Sequence, residues 1–245
     1  KERNVLAGVS AFITNDGGTF TNKNTVVSVN KSDITNGYVA GTLVALADGG
    51  QVEINNQTVV VSYSTVDDVY GTGIVASGDV SARINNQTIV LDNATVVGGV
   101  YDVSIKNGTS TRSGNDVELT NSRLQLSGIN EVGSISGFDT IGLNVTQDNI
   151  DQAVLTVTQA AEGQTKFDGV TIEIASDEKA LKNGKADVWS SGKQLSDQQL
   201  NVRPQGADLK PGEGANPEYH RRYADLQIDI TGGEGWGYTN EPGEE

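Results

Sequence analysis

The chain has no cysteine and no methionine, one histidine, four prolines among 245 residues, and an aromatic content of 5%. Without cysteine there are no disulfide staples, no thiol redox chemistry and no thiolate ligands for a structural zinc. The single imidazole, His220, stands beside Arg221 and Arg222. Nucleophilic catalysis needs a base next to the nucleophile, and a histidine beside two arginines is a poor one. No glycine-rich loop carries the lysine that would cradle a phosphate. Net charge is −15, and the densest cationic stretch, His220–Arg222, is flanked by Glu218 and Asp225. The electrostatic footprint of a nucleic-acid or anionic-membrane partner is therefore absent. No apolar run approaches the ~18 residues of a membrane helix, so this segment is not expected to insert into a membrane. Lys1 opens no signal peptide, and the chain reads as a mature or excised piece.

What the chain has instead is a phrase that it repeats. Ile54-Asn55-Asn56-Gln57-Thr58-Val59-Val60 returns as Ile84-Asn85-Asn86-Gln87-Thr88-Ile89-Val90. A period of this size marks a solenoid, in which each unit buries its apolar face against the next. Short β-branched runs starting at 25, 58, 88 and 116 extend the pattern. The first three lead through a polar corner to a second short run with tyrosine at Tyr38, Tyr70 and Tyr101. The fourth leads to Gly128-Ile129-Asn130-Glu131-Val132. Valine and threonine suit pleated, half-buried surfaces, and glycine and asparagine suit the positive φ of tight corners. Five to seven such coils are expected. Alternation along the runs puts Val59, Val61, Ile89 and Leu91 on one face and Val60 and Val90 on the other, and the first set is expected to point inward. Asn55 and Asn85 hold the same phase and are placed to stack their amides in a ladder; the alternative is that the Asn pair only marks a turn.

Composition divides the chain. Residues 1–160 carry the repeats, and 161–245 form a less regular capping region with an irregular, proline-containing tail. A solenoid must hide its open end, and both tryptophans, Trp189 and Trp236, lie in this second part. Strands are expected over 167–174 and 223–230, and short helical pieces around 179–182 and 193–196.

Carboxylates are the one serious catalytic option. Asp67, Asp68, Asp92 and Asp102 lie at strand ends in adjacent units, and a glycoside hydrolase needs two carboxylates at a set separation. Yet the first 160 residues hold no tryptophan to line a sugar groove, and aspartates at corners commonly serve turns and solubility. No catalytic or metal-ligating residue is assigned, and the binding residues are not readable. No cofactor is expected beyond loose calcium binding by oxygen ligands. The fragments Asp16-Gly17-Gly18 and Asp48-Gly49-Gly50 fall short of a calcium repeat.

At 131–158 the chain runs Glu131-Val132-Gly133-Ser134-Ile135-Ser136-Gly137-Phe138-Asp139-Thr140-Ile141 and then Ala153-Val154-Leu155-Thr156-Val157-Thr158. This resembles the late passenger region of bacterial type V autotransporters, and the Val69-Tyr70-Gly71 and Val100-Tyr101 units resemble the repeats of that family. The resemblance covers about residues 20–175. It implies an all-β, right-handed parallel β-helix at a bacterial outer-membrane surface, exported and extracellular, acting as an adhesin or its stalk. Its partners would be a host cell surface, matrix or glycan, or copies of itself. The serine-protease passengers of the family are not matched, because no Gly-Asp-Ser-Gly stretch is present. The alternatives are a β-helix that binds or cleaves a polysaccharide and a self-associating coat protein.

Overall fold

The pattern Val52-x-Ile54-x-x-Gln57-x-Val59-x-Val61 alternates, skips one residue, and alternates again. An extra residue in an extended run flips which side chains face inward. Here Asn56 takes it up in the left-handed region (φ 57°), and Asn24, Asn86 and Asn121 do the same at the matching position of the other three coils (φ 57°, 56° and 56°). Asparagine tolerates this conformation because its short amide bonds locally. Each long strand is thus two straight segments joined at a bend, and the coil has two lobes.

The computed structural model describes residues 4–107, 114–144 and 154–158, and beyond them the strands at 171–175, 184–191, 201–205, 225–231 and 235–241. The protein is an all-β solenoid of stacked parallel strands, and the described residues contain no helix. One sheet runs β1 (Asn4–Ile13), β3 (Asp33–Leu46), β5 (Thr65–Ala76), β7 (Thr95–Asn107), β9 (Asn130–Ser136), β11 (Leu155–Val157) and β13 (Gly184–Ser191). It ends in two antiparallel strands, β15 (Asp225–Thr231) and β16 (Gly235–Glu241). The facing sheet runs β2 (Thr19–Asn30), β4 (Gln51–Ser62), β6 (Ser81–Asp92), β8 (Asp116–Ser127), β10 (Thr140–Asn144), β12 (Thr171–Ala175) and β14 (Asn201–Gln205). About four turns, β1 to β8, carry both lobes. The helical pieces expected around 179–182 and 193–196 fall outside the described residues.

Two apolar clusters fill the coil. One holds Val27, Val59, Val61, Val69, Ile89, Leu91, Leu124 and Leu126 and continues through Ile141, Leu143 and Val157. The other holds Val44, Leu46, Val52, Ile54, Ile74 and Ile84. Val59, Val61, Ile89 and Leu91 are fully buried while Val60 and Val90 are half-buried on the outside, as the alternation required. The second lobe has no strands beyond β7 and β8 within the described sheets. The partners of β9 and β10 are the first half of β7 and the last third of β8, which is why β9 and β10 are short.

The register corrects two of the repeat boundaries. Val26, not Thr25, pairs with Thr58, and Arg123, not Asp116, pairs with Thr88. Ile135 occupies the place beside Val100, and Val132, three residues earlier, pairs with Val96. Asp116-Val117-Glu118-Leu119 looks like the start of a repeat because it belongs to the second lobe, which has the same alternation.

Candidate functional site

Between the two lobes runs a buried polar layer. Thr42 donates its hydroxyl to Gln57 Oε1 at 2.5 Å, and Gln57 Nε2 donates to Gly71 O at 2.7 Å and to Gln87 Oε1 at 2.6 Å. Thr72 donates to Gln87 Oε1 at 2.7 Å. Gln87 Nε2 donates to the carbonyl and to Oδ1 of Asp102, both at 2.7 Å. At the first coil Asn22 reaches in to Thr42 at 3.0 Å, held by Thr25 at 2.7 Å. A buried polar network of this kind is stabilising only when every member is satisfied. Gln57 and Gln87 fit because glycine stands opposite: a Cβ on Gly41 or Gly71 would lie 2.4 Å or 2.3 Å from the glutamine side chain. Where the strand carries Asp102 instead of glycine, the facing residue shrinks to Ser122.

Asp102 is the anomaly of the layer. Its side chain is fully buried, and Oδ2 has no hydrogen-bond partner. Burial raises its pKa from 3.8 to about 6; the Gln87 amide and the Ser122 hydroxyl pull it back down, and the charge of Asp139 pushes it up. Asp139 itself accepts from the Ser122 amide at 3.3 Å, and Gly137 packs against the Asp102 Cβ.

The carboxylates singled out in the sequence do not gather. Asp68 accepts from the Gly99 amide of the next coil at 2.9 Å, Asp92 from Asn93 at 2.9 Å, and Asp102 faces the interior. They lie on three different parts of the coil. The Asp-Gly-Gly segments are corners: Gly17 and Gly49 take φ of 73° and 70°, and their amides bond the Asp48 and Asp79 carbonyls. Asp48 Oδ1 accepts from the Asp79 amide at 2.9 Å. Among the described residues, no three His, Cys, Asp or Glu side chains stand close enough to hold a metal. His220 lies outside the described residues.

The asparagine ladder is present and longer than the repeat showed. Asn85 bonds Asn55 at 3.3 Å, and beside it an exposed chain runs Asn121 to Asn86 (2.8 Å), Asn86 to Asn56 (3.0 Å) and Asn56 to Asn24 (3.0 Å). Asn56 and Asn86 mark the bend as well, so the turn reading holds alongside the ladder. Asn24 and Asn121 escaped the sequence comparison because neither sits in an Asn-Asn pair.

Three surfaces remain as recognition candidates. Tyr38, Tyr70 and Tyr101 line up on adjacent strands, Tyr38 edge-on to Tyr70 at 5.5 Å and Tyr70 stacked on Tyr101 at 5.2 Å. Tyr70 is buried and the other two are half-buried, so the ring faces are spent largely on one another. Next to them, a shallow apolar groove of about 140 Å³ runs between Tyr38 and Tyr70 on one side and Leu43, Gly73 and Val75 on the other. On the opposite sheet, a polar groove of about 210 Å³ is lined by Glu53, Asn55, Arg83, Asn85 and Glu118, with Arg83 paired to Asp116 and Glu118 at 2.8 Å and 2.9 Å. No family model matches the chain, and neither a curated protein nor a solved structure is similar to it.

Proposed function

We propose that the chain is a non-enzymatic rod, displayed at a bacterial surface in the manner of an autotransporter passenger, that acts as an adhesin or its stalk through repeated weak contacts. The observation that supports this reading is the register of the outer faces. Thr58 pairs with Thr88, Val60 with Val90, and Glu53 with Arg83, so outward groups recur in rows about 4.8 Å apart. Such rows gain strength when many copies or many rungs engage at once. The partners are a host cell surface, a matrix component or a glycan. The antiparallel strands β15 and β16 fit a cap on the parallel stack.

The rival reading is a β-helix that cleaves polysaccharide. The tyrosine line favours sugar contact in principle, since sugars stack on aromatic faces. The mutual stacking of the rings and the backbone duty of Asp68 weigh against it. Retention of the protein on cells, matrix and immobilised glycans, compared between a monomer and a multimeric display, separates the two. Strong retention of the multimer only, unchanged by Asp67→Asn, Asp68→Asn or Asp92→Asn, is expected. Release of oligosaccharide that disappears in one of those variants overturns the proposal.

A further inference from the structure

Two rows of polar side chains stand in register on the outer face of the second lobe. Glu53, Arg83 and Glu118 form one row, and Asn55, Asn85 and Thr120 the other. Residues two apart on a strand are about 7 Å apart and neighbouring strands about 5 Å, so the rows wall a trough about 10 Å long. This is the groove of about 210 Å³, and its floor is the backbone of Ile54 and Ile84, whose side chains are buried beneath. Arg83 lies between Glu53 and Glu118 in register but turns its guanidinium wholly to β8, 2.8 Å from Asp116 and 2.9 Å from Glu118. That leaves Glu53, among the described residues, with one long bond from the Thr21 hydroxyl at 3.5 Å. On the other wall Asn85 donates to Asn55 at 3.3 Å, which leaves the Asn55 nitrogen and the Asn85 oxygen for a partner from outside. A carboxylate acceptor, an amide donor, an amide acceptor and the Thr120 hydroxyl therefore face one trough on three neighbouring strands.

We propose, resting on the adhesin reading, that this groove binds an uncharged glycan and holds two linked sugar rings of it. Adjacent hydroxyls on a sugar ring each donate and accept, and so match donors and acceptors set a few ångströms apart. The charges on the walls exclude other ligands. Three acids, Glu53, Asp116 and Glu118, surround the single guanidinium of Arg83, so a sulfated or sialylated chain is repelled. Two of those acids are already paired with Arg83, so no cage remains for the lysine or arginine of a basic partner. No apolar side chain stands on the walls, so a lipid or an apolar peptide gains nothing by leaving water there. The trough is open and small beside the about 300–1,000 Å³ of ordinary ligand pockets, which puts its affinity in the millimolar range. A weak site of this kind gains its strength when many copies are displayed together.

Titration of the isotope-labelled chain with lactose, maltose and cellobiose, followed by NMR at the side-chain amides of Asn55 and Asn85, tests this directly. A saturable shift of both signals is expected with at least one of the three, half complete at about 1–10 mM. Glu53→Ala, at an exposed position, should raise that midpoint about fivefold or more, and Glu53→Gln, which keeps an acceptor, should recover part of the loss. Asn85→Ala, read at the Asn55 signal, should weaken binding by a similar factor. Sialyllactose and trilysine should move neither signal. The titration reads the free chain, so its failure is distinct from a failure of the multimer to be retained on cells, which tests the adhesin reading itself. No saturable shift up to about 50 mM sugar, a midpoint untouched by Glu53→Ala and Asn85→Ala, or a saturable shift with sialyllactose or trilysine would each overturn the proposal.

Discussion

Replacing Asp102 by Asn should make the protein more stable at neutral pH and leave its acid stability relatively unchanged. The side chain is fully buried, one oxygen accepts from Gln87, and the other has no partner. Asn keeps the acceptor for Gln87 and removes the charge. The sign follows from the raised pKa: the folded state holds the proton up to about 6, the unfolded state only to 3.8. Protonation of Asp102 therefore favours folding below pH 3.8, and that advantage is lost as pH rises through about 6. At about 1.4 kcal/mol per pH unit, the gap is worth about 3 kcal/mol. Urea unfolding of parent and Asp102→Asn at a series of pH values supplies the check, taken as the difference between the two so that exposed carboxylates cancel. The difference should be flat below about pH 4, grow in favour of the variant up to about pH 6, and level off near 3 kcal/mol above its acid value. A difference that stays flat across this range, or grows in the opposite direction, refutes the reasoning.

Gln87→Leu should be among the most damaging single changes in the chain. It strips partners from Asp102 Oδ1, the Asp102 carbonyl and the Thr72 hydroxyl, at about 1–3 kcal/mol for each buried orphan, or about 3–9 kcal/mol in all. Arg83→Ala, which breaks two exposed ion pairs on the outer face, should leave the urea midpoint within measurement error. Ile89→Asp buries an unpaired charge in the first lobe and should cost several kcal/mol, whereas Val90→Asp, one residue on and outward, should be tolerated. Equal midpoints for those two variants in chemical denaturation would show the assigned facing to be wrong.

The stacked parallel solenoid was legible because its cause is local and repeated. The thirty-residue echo of Ile54–Val60 in Ile84–Val90, the β-branched alternation and the corner glycines each act within one coil. Alternation separated Val59 and Ile89 from Val60 and Val90, since strand geometry leaves only two faces, and the coil buries the set expected inside. The asparagine ladder was half visible for the same reason: Asn55 and Asn85 repeat by name, while Asn24 and Asn121 share only a backbone conformation.

Other features depended on the facing strand. Gln57 and Gln87 stand in the conspicuous phrase, yet only the assembled coil shows that Gly41 and Gly71 make room for them and that Thr42, Thr72 and Asp102 complete the layer. A recurrence of 15 residues through 42, 57, 72, 87 and 102 was the available signal, and it is weak because the residue type changes at each step. The second lobe was hidden too. It made Asp116-Val117-Glu118 resemble a repeat start, and among the described strands it is carried by β1 to β8 alone. By itself the sequence determined the coil, its approximate period and the alternation within each run, because those follow from neighbours along the chain. The tertiary structure alone decided the two-lobed cross-section, the buried carboxyl of Asp102 and the groove between Tyr38, Tyr70 and Leu43, because these arise from stretches of chain brought together by stacking.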